Sequence, residues 1–169
     1  MGETTIRCSC CGEMVSRATS EFAFTFPDAY AALKPAQRAS PDTFCERHFC
    51  AIGSTRLFVR GLLPMKVVDG GETYCIGAWA ELAEHDWRMA RQMWDGTGND
   101  RVPAFPGVLA NELPRLFEDS TRGLEVLVQL HDATRPTFRL VDTGHPLEDE
   151  QRAGITAHRA LQFTALADR

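Results

Sequence analysis

The sequence predicts an α+β fold: a mainly antiparallel sheet with flanking helices and an N-terminal zinc-knuckle segment. Three observations carry that expectation. Strand-like stretches succeed one another between Phe49 and Leu82 with no helical pattern between them. Residues 123–131 alternate apolar and polar side chains and meet a second strand-like stretch, 137–141, across a short turn. Helical patterns follow runs of strands instead of alternating with single strands, which disfavours a Rossmann-like parallel sheet.

Each element has its own reason. Residues 21–26 alternate in part and stop at Pro27. Residues 28–33 read as a short helix that Pro35 discourages from continuing, and 36–42 as a polar connection. Three strands follow, 49–52, 56–60 and 62–68, punctuated by Gly53, Gly61 and Gly70-Gly71. Pro64 marks the third as an edge or a bulge, because proline has no N–H to give to a ladder. Thr73–Leu82 continues as a strand with Cys75, Gly77 and Trp79 on one face.

An amphipathic helix is predicted over 84–94, with Trp87, Ala90 and Trp94 at helical spacing; the three tryptophans, Trp79 included, are expected in the core. Residues 95–100 form a turn-rich loop, and Pro103, Pro106 and Pro114 make 101–116 irregular. In 123–131, Leu124, Val126, Val128 and Leu130 make one face wholly apolar, and 137–141 is its antiparallel neighbour. Two helices close the chain. Pro146 opens the first and Gly154 stops it; Thr156 caps the second, which runs towards Leu166 with Ala160, Phe163 and Ala167 inward.

A length of 169 residues suits one domain, 1–169, in which a zinc-binding segment 1–52 packs on an α+β body 53–169. The start, Met1 to Ile6, lacks the basic and apolar regions of a signal peptide, and no apolar run approaches a membrane span. A cytoplasmic, reducing compartment is expected, where spaced thiols suggest metal more than disulfide. A net charge of −5 disfavours a nucleic-acid binder that works mainly through phosphate contacts.

Two cysteine clusters hold the clearest chemistry, Cys8-Ser9-Cys10-Cys11-Gly12 and Cys45-Glu46-Arg47-His48-Phe49-Cys50. They read as two halves of one structural zinc site. Cys8 and Cys11 have C-x-x-C spacing, and Gly12 can take the positive φ of a tight chelating turn. Cys10 is the odd one out, since adjacent cysteines rarely chelate one ion without strain. From the second cluster zinc needs two ligands out of Cys45, His48 and Cys50. The long loop between the halves is a small objection, because each doubling of a loop costs only about 0.6 kcal/mol. Free buried thiols and a redox C-x-x-C are the competing readings; the redox pair wants the motif at the start of a helix in a βαβ unit, which 12–15 does not resemble.

Several phrases together resemble one bacterial family, catalogued as domain of unknown function 2199. They are the N-terminal C-x-x-C-G, Leu57-Phe58-Val59-Arg60-Gly61 after Cys50-Ala51-Ile52, Gly77-Ala78-Trp79, Asn111-Glu112-Leu113-Pro114, Arg135-Pro136, and Gly144-His145-Pro146-Leu147 with Glu150-Gln151 and Gly154-Ile155 after it. The resemblance implies a cytoplasmic domain with no established activity, cofactor or partner. Such proteins often carry a His four residues after the second cysteine, where this chain has Val15, and Asp where it has His48. A lost ligand replaced by a nearby one points to Cys8, Cys11, His48 and Cys50 as the zinc set.

The leading expectation is a non-enzymatic module that binds another protein, with zinc as its only cofactor and no identifiable small-molecule substrate. A hydrolase-type enzyme with a cleft near His145 is the alternative, and nucleic-acid binding through a zinc ribbon a third option. His145 is a general base only if a carboxylate orients it; otherwise it hydrogen-bonds the free N–H groups at a helix entrance. His131-Asp132 is a pair on paper, but neighbours in a strand face opposite ways. His85 and His158 are expected on solvated helix faces.

Overall fold

A computed structural model describes residues 5–16, 21–113 and 116–168. Nine strands are found among them. β1 (Thr5–Arg7) and β2 (Met14–Ser16) form a separate hairpin. β3 (Phe44–Cys45), β4 (Phe49–Ile52), β5 (Arg56–Lys66), β6 (Thr73–Leu82), β7 (Phe105–Leu109), β8 (Glu125–Gln129) and β9 (Thr137–Leu140) join in sequence order. The last five do not end in two open edges, because β9 also pairs with β5. Five strands that each run antiparallel to the next leave the first and fifth pointing the same way, so the closing pair is parallel.

The result is a closed, five-stranded mixed barrel with a second small sheet and few short helices, which corrects the expected antiparallel sheet with flanking helices. The reason lies in the interior. Alternation shows that one face of each strand is apolar, but it does not show whether the sheet lays that face against helices or curls around it. Here it curls. Val59, Leu63 and Met65 of β5, Ile76, Ala78 and Ala80 of β6, Val126 and Val128 of β8, and Phe138 and Leu140 of β9 are all buried in one cluster.

Two glycines make room for the larger side chains. A Cβ at Gly61 would lie 2.5 Å from the Phe138 ring, and one at Gly107 2.8 Å from Leu82. Gly61 therefore does not end a strand as predicted; β5 runs through it for 11 residues. β7 was not expected among the prolines of 101–116. It meets β6 only at Val108 and Leu109, so Pro106 lies beyond that pairing, where its missing N–H breaks no ladder bond on that side. Pro114 lies outside the described residues.

The parallel seam is thin. β5 and β9 share one register pair, Leu62 with Thr137, and the Leu62 N–H donates to Pro136 O at 2.8 Å. Further along, the Gln151 side chain takes over. Its amide donates to Phe138 O (2.8 Å) and Pro64 O (3.3 Å), and its carbonyl accepts from the Leu140 N–H (2.8 Å). Pro64 thus stands where the chain beside β5 is a side chain and not a strand.

The helices are short: α1 (Asp28–Ala31), α2 (Pro35–Arg38, where a polar connection was expected), α3 (Glu84–Met93), α4 (Pro146–Ala153) and α5 (Ala157–Thr164). α3 buries Trp87 and Ala90 against the barrel, and the Trp87 indole donates to Phe58 O. The chain continues past α5 as a 3₁₀ turn (Ala165–Asp168), which leaves Ala167 exposed instead of inward. Outside the barrel a second apolar group, Cys50, Phe58, Trp79 and Ala110, is covered by Phe24, Ala29 and Tyr30. Asn111 ties that cover down. Its Oδ1 accepts from the Trp79 N–H, and its Nδ2 donates to Phe26 O and Asp28 Oδ1. Among the described residues no helix is long and apolar enough to cross a membrane.

Candidate metal centre

The β1–β2 turn is built by two backbone bonds. Cys8 N–H donates to Glu13 O and Gly12 N–H to Cys8 O, both at 2.8 Å, and Gly12 takes φ +75°. This closes residues 8–12 into a loop whose three thiols gather on one spot. α5 begins beside it. The Thr156 hydroxyl caps that helix by accepting from the Arg159 N–H at 3.1 Å, which places His158 in the first turn. Asp69 locks the two ends together: one carboxylate oxygen accepts from Ser9 N–H and the other from Ala157 N–H, each at 2.8 Å. Burial works to raise the Asp69 pKa, and those backbone donors outweigh it, so the carboxyl sits below its ordinary value.

The four donor atoms of Cys8, Cys10, Cys11 and His158 lie within 4.8 Å of one another. Cys11 Sγ is 3.8 Å from His158 Nδ1, and Cys8 Sγ is 2.9 Å from Cys10 Sγ. Cys8 is buried and the other three are exposed. The Cys10 hydrogen bond, working against burial, pulls the Cys8 thiol down to about 6, and the same bond pushes the Cys10 thiol up. One thiolate is thus formed readily, which is the state a metal needs.

Three sulfurs and one imidazole nitrogen are a donor set for a tetrahedral soft or borderline cation. Zn–S bonds of ~2.3 Å put neighbouring sulfurs about 3.8 Å apart, so an ion would hold Cys8 and Cys10 roughly 1 Å further apart than they stand. The Cys11–His158 separation already fits. The turn joins two strands, not a strand and a helix, which is the wrong setting for a thioredoxin-like pair.

The fold brings Cys8 and Cys11 together with Cys10 and His158; it does not bring His48 or Cys50 to them. Cys50 is fully buried on β4, opposite Cys45 in the β3–β4 register. The Cys45–Cys50 hydrogen bond lowers the Cys45 thiol and raises the Cys50 thiol, with burial adding to the second. His48 packs against Trp94 with ring centroids 4.8 Å apart and the planes tilted by 36°. The zinc set expected from sequence leaves out Cys10, set aside because adjacency implies strain, and His158, 147 positions from Cys11, for which no local spacing gives a signal.

His145 is buried with both ring nitrogens engaged. Nδ1 accepts from the Leu147 N–H at 3.0 Å, so Nε2 carries the proton and donates to Asp119 O at 3.2 Å. It caps α4 and has no lone pair left for a substrate. His131 pairs with Asp100 (3.0 Å) and Thr137 (2.8 Å), not with Asp132.

No curated protein and no solved structure matches the chain. A family match covers residues 7–155, so it includes the three cysteines and stops short of His158. That span is most of the sequence, and the chain belongs to the bacterial family described as an uncharacterized protein conserved in bacteria, DUF2199.

Proposed function

We propose that this chain is a non-enzymatic binding module in which one zinc ion clasps the N-terminal hairpin to α5, held by Cys8, Cys10, Cys11 and His158, and that its partner is another protein. The observation that carries the reading is the convergence of four donor atoms from opposite ends of the chain within 4.8 Å. A set of four protein ligands leaves no open position for water or substrate, which suits a structural ion. The barrel interior is filled by its own side chains, and His145, the residue of the hydrolase alternative, is consumed as a helix cap. A set using His48 and Cys50 would need Cys50 to leave its buried place opposite Cys45.

A structural zinc site contributes an apparent ~10–16 kcal/mol, more than the whole net stability of many domains, about 5–15 kcal/mol. The test is zinc content of the natively purified chain together with thermal melting before and after chelation. One zinc per chain and a large drop in Tm on chelation are expected. A metal-free chain whose Tm ignores both chelator and added zinc refutes the clasp.

A further inference from the structure

The strongest unassigned feature lies between the C-terminal end of α3 and the β8–β9 loop. A cavity of about 250 Å³ is lined there by His48, Trp94, Asn99, His131, Asp132 and Arg135, among others. Two of its lining residues stand out. His48 Nδ1 and Asn99 Oδ1 are buried and find no hydrogen-bond partner among the described residues. Asn99 itself is only 3% exposed, and its Nδ2 is already spent on Met93 O at 3.0 Å. Buried polar groups are nearly always satisfied, so two orphans beside one cavity mark a place built for something else to bond.

Arg135 brings positive charge to the His48 end of the cavity and Asp132 negative charge to the Asn99 end. Burial first, then the charges of Arg47, Arg135 and Arg60, hold the His48 ring below its ordinary pKa, with Asp95 opposing. None of these three arginines forms an ion pair with a described carboxylate, unlike Arg56, Arg88, Arg91, Arg122, Arg152 and Arg159. Arg60 Nε is itself buried without an acceptor. On a chain of net charge −5, a cavity wall carrying Arg135, with the charges of Arg47 and Arg60 also reaching His48, is a local exception. At the other end Asp132 accepts from Gly98 and Asn99 N–H, and Asn99 Oδ1 remains an acceptor in search of a donor.

We propose that this cavity binds a small organic oxyanion, a phosphate ester or carboxylate that also carries a hydroxyl or amine. The anionic group sits on the Arg135 and His48 side, and the hydroxyl or amine donates to Asn99 Oδ1. Trp94, which also lines the cavity, supplies the apolar wall. A volume near 250 Å³ is below the usual range of drug-sized sites, roughly 300–1,000 Å³, and limits the ligand to a few carbons.

The 169-residue chain, supplied with zinc, is titrated with inorganic phosphate, glycerol 3-phosphate and glycerate, following the NMR signals of the Trp94 indole and the His48 ring. Saturable shifts are expected with at least one organic anion, and whichever binds more tightly identifies phosphate or carboxylate as the natural group. Glycerol 3-phosphate should bind more tightly than inorganic phosphate. Arg135→Gln should weaken binding about tenfold, the scale of one charge-assisted hydrogen bond, while Arg152→Gln should leave it unchanged. Arg47→Gln, on an exposed turn, gives a second reading if Arg135→Gln disturbs the loop. No saturable shift with any of the three, or binding indifferent to both substitutions, overturns the proposal.

Discussion

Cys10 separates two ways of building the metal centre. Spacing alone favours Cys8 and Cys11 and leaves Cys10 as a spectator, whereas the folded turn sets its sulfur 2.9 Å from that of Cys8 and next to the Thr156 hydroxyl. If all three thiols ligate, Cys10→Ser should lower zinc affinity by more than the roughly 10–100-fold that loss of an outer-shell partner costs, measured by competition with a chromophoric chelator. Cys75→Ser, which removes a thiol from β6, should leave the affinity unchanged. Asp69 makes a subtler case, because it touches no donor atom yet holds both halves of the site through Ser9 and Ala157. Asp69→Ala should fall within that roughly 10–100-fold range, and Asp69→Asn, which keeps one acceptor, should recover part of it.

At the scale of elements, the barrel stands on its glycines and its seam. Gly61→Ala would drive a methyl group into Phe138 and against Pro136 O, and overpacking of this kind typically costs about 1–3 kcal/mol, readable by urea unfolding. Gln151→Ala would leave Leu140 N–H and Phe138 O without a partner on the parallel seam. About 1–3 kcal/mol of destabilisation is expected, with faster amide exchange at Leu140 than in β6. An unchanged exchange rate at Leu140 would mean that water replaces the amide there.

The same elements show what a sequence can and cannot carry. Pro146, Gly154 and Thr156 mark helix ends because caps and φ constraints are local, and those boundaries are found where expected. β7 was hidden because Pro103 and Pro106 read as breakers, whereas a strand tolerates proline where its neighbour does not pair with it. Closure was hidden for a different reason: one register pair and one glutamine side chain decide it, and neither leaves a periodic trace. Several phrases that carry the family resemblance turn out to be structural fittings. Pro136 closes the seam, Gln151 spans it, His145 caps α4, and Asn111 anchors the cover over Trp79.

For the molecule as a whole, the N-terminal hairpin and α5 meet at the cluster of Cys8, Cys10, Cys11 and His158, and the barrel lies between them in sequence. Asp69, on the turn after β5, is the point where the barrel joins that junction. The proposed ion would tie the hairpin to α5, so its loss should loosen these two elements first. The spacing of Cys8 and Cys11 suggested a metal, and the fold sets Cys10 and His158 beside them, the latter from the exposed face of a helix at the far end of the sequence. Long-range convergence of that kind follows from topology, which pattern alone did not supply.

Native mass spectrometry of two single variants, His158→Ala and His48→Ala, bears on this most directly. One zinc per chain should persist in His48→Ala and be lost or weakly held in His158→Ala. The reverse pattern, with zinc surviving the loss of His158 and vanishing with His48, would contradict the clasp between hairpin and helix.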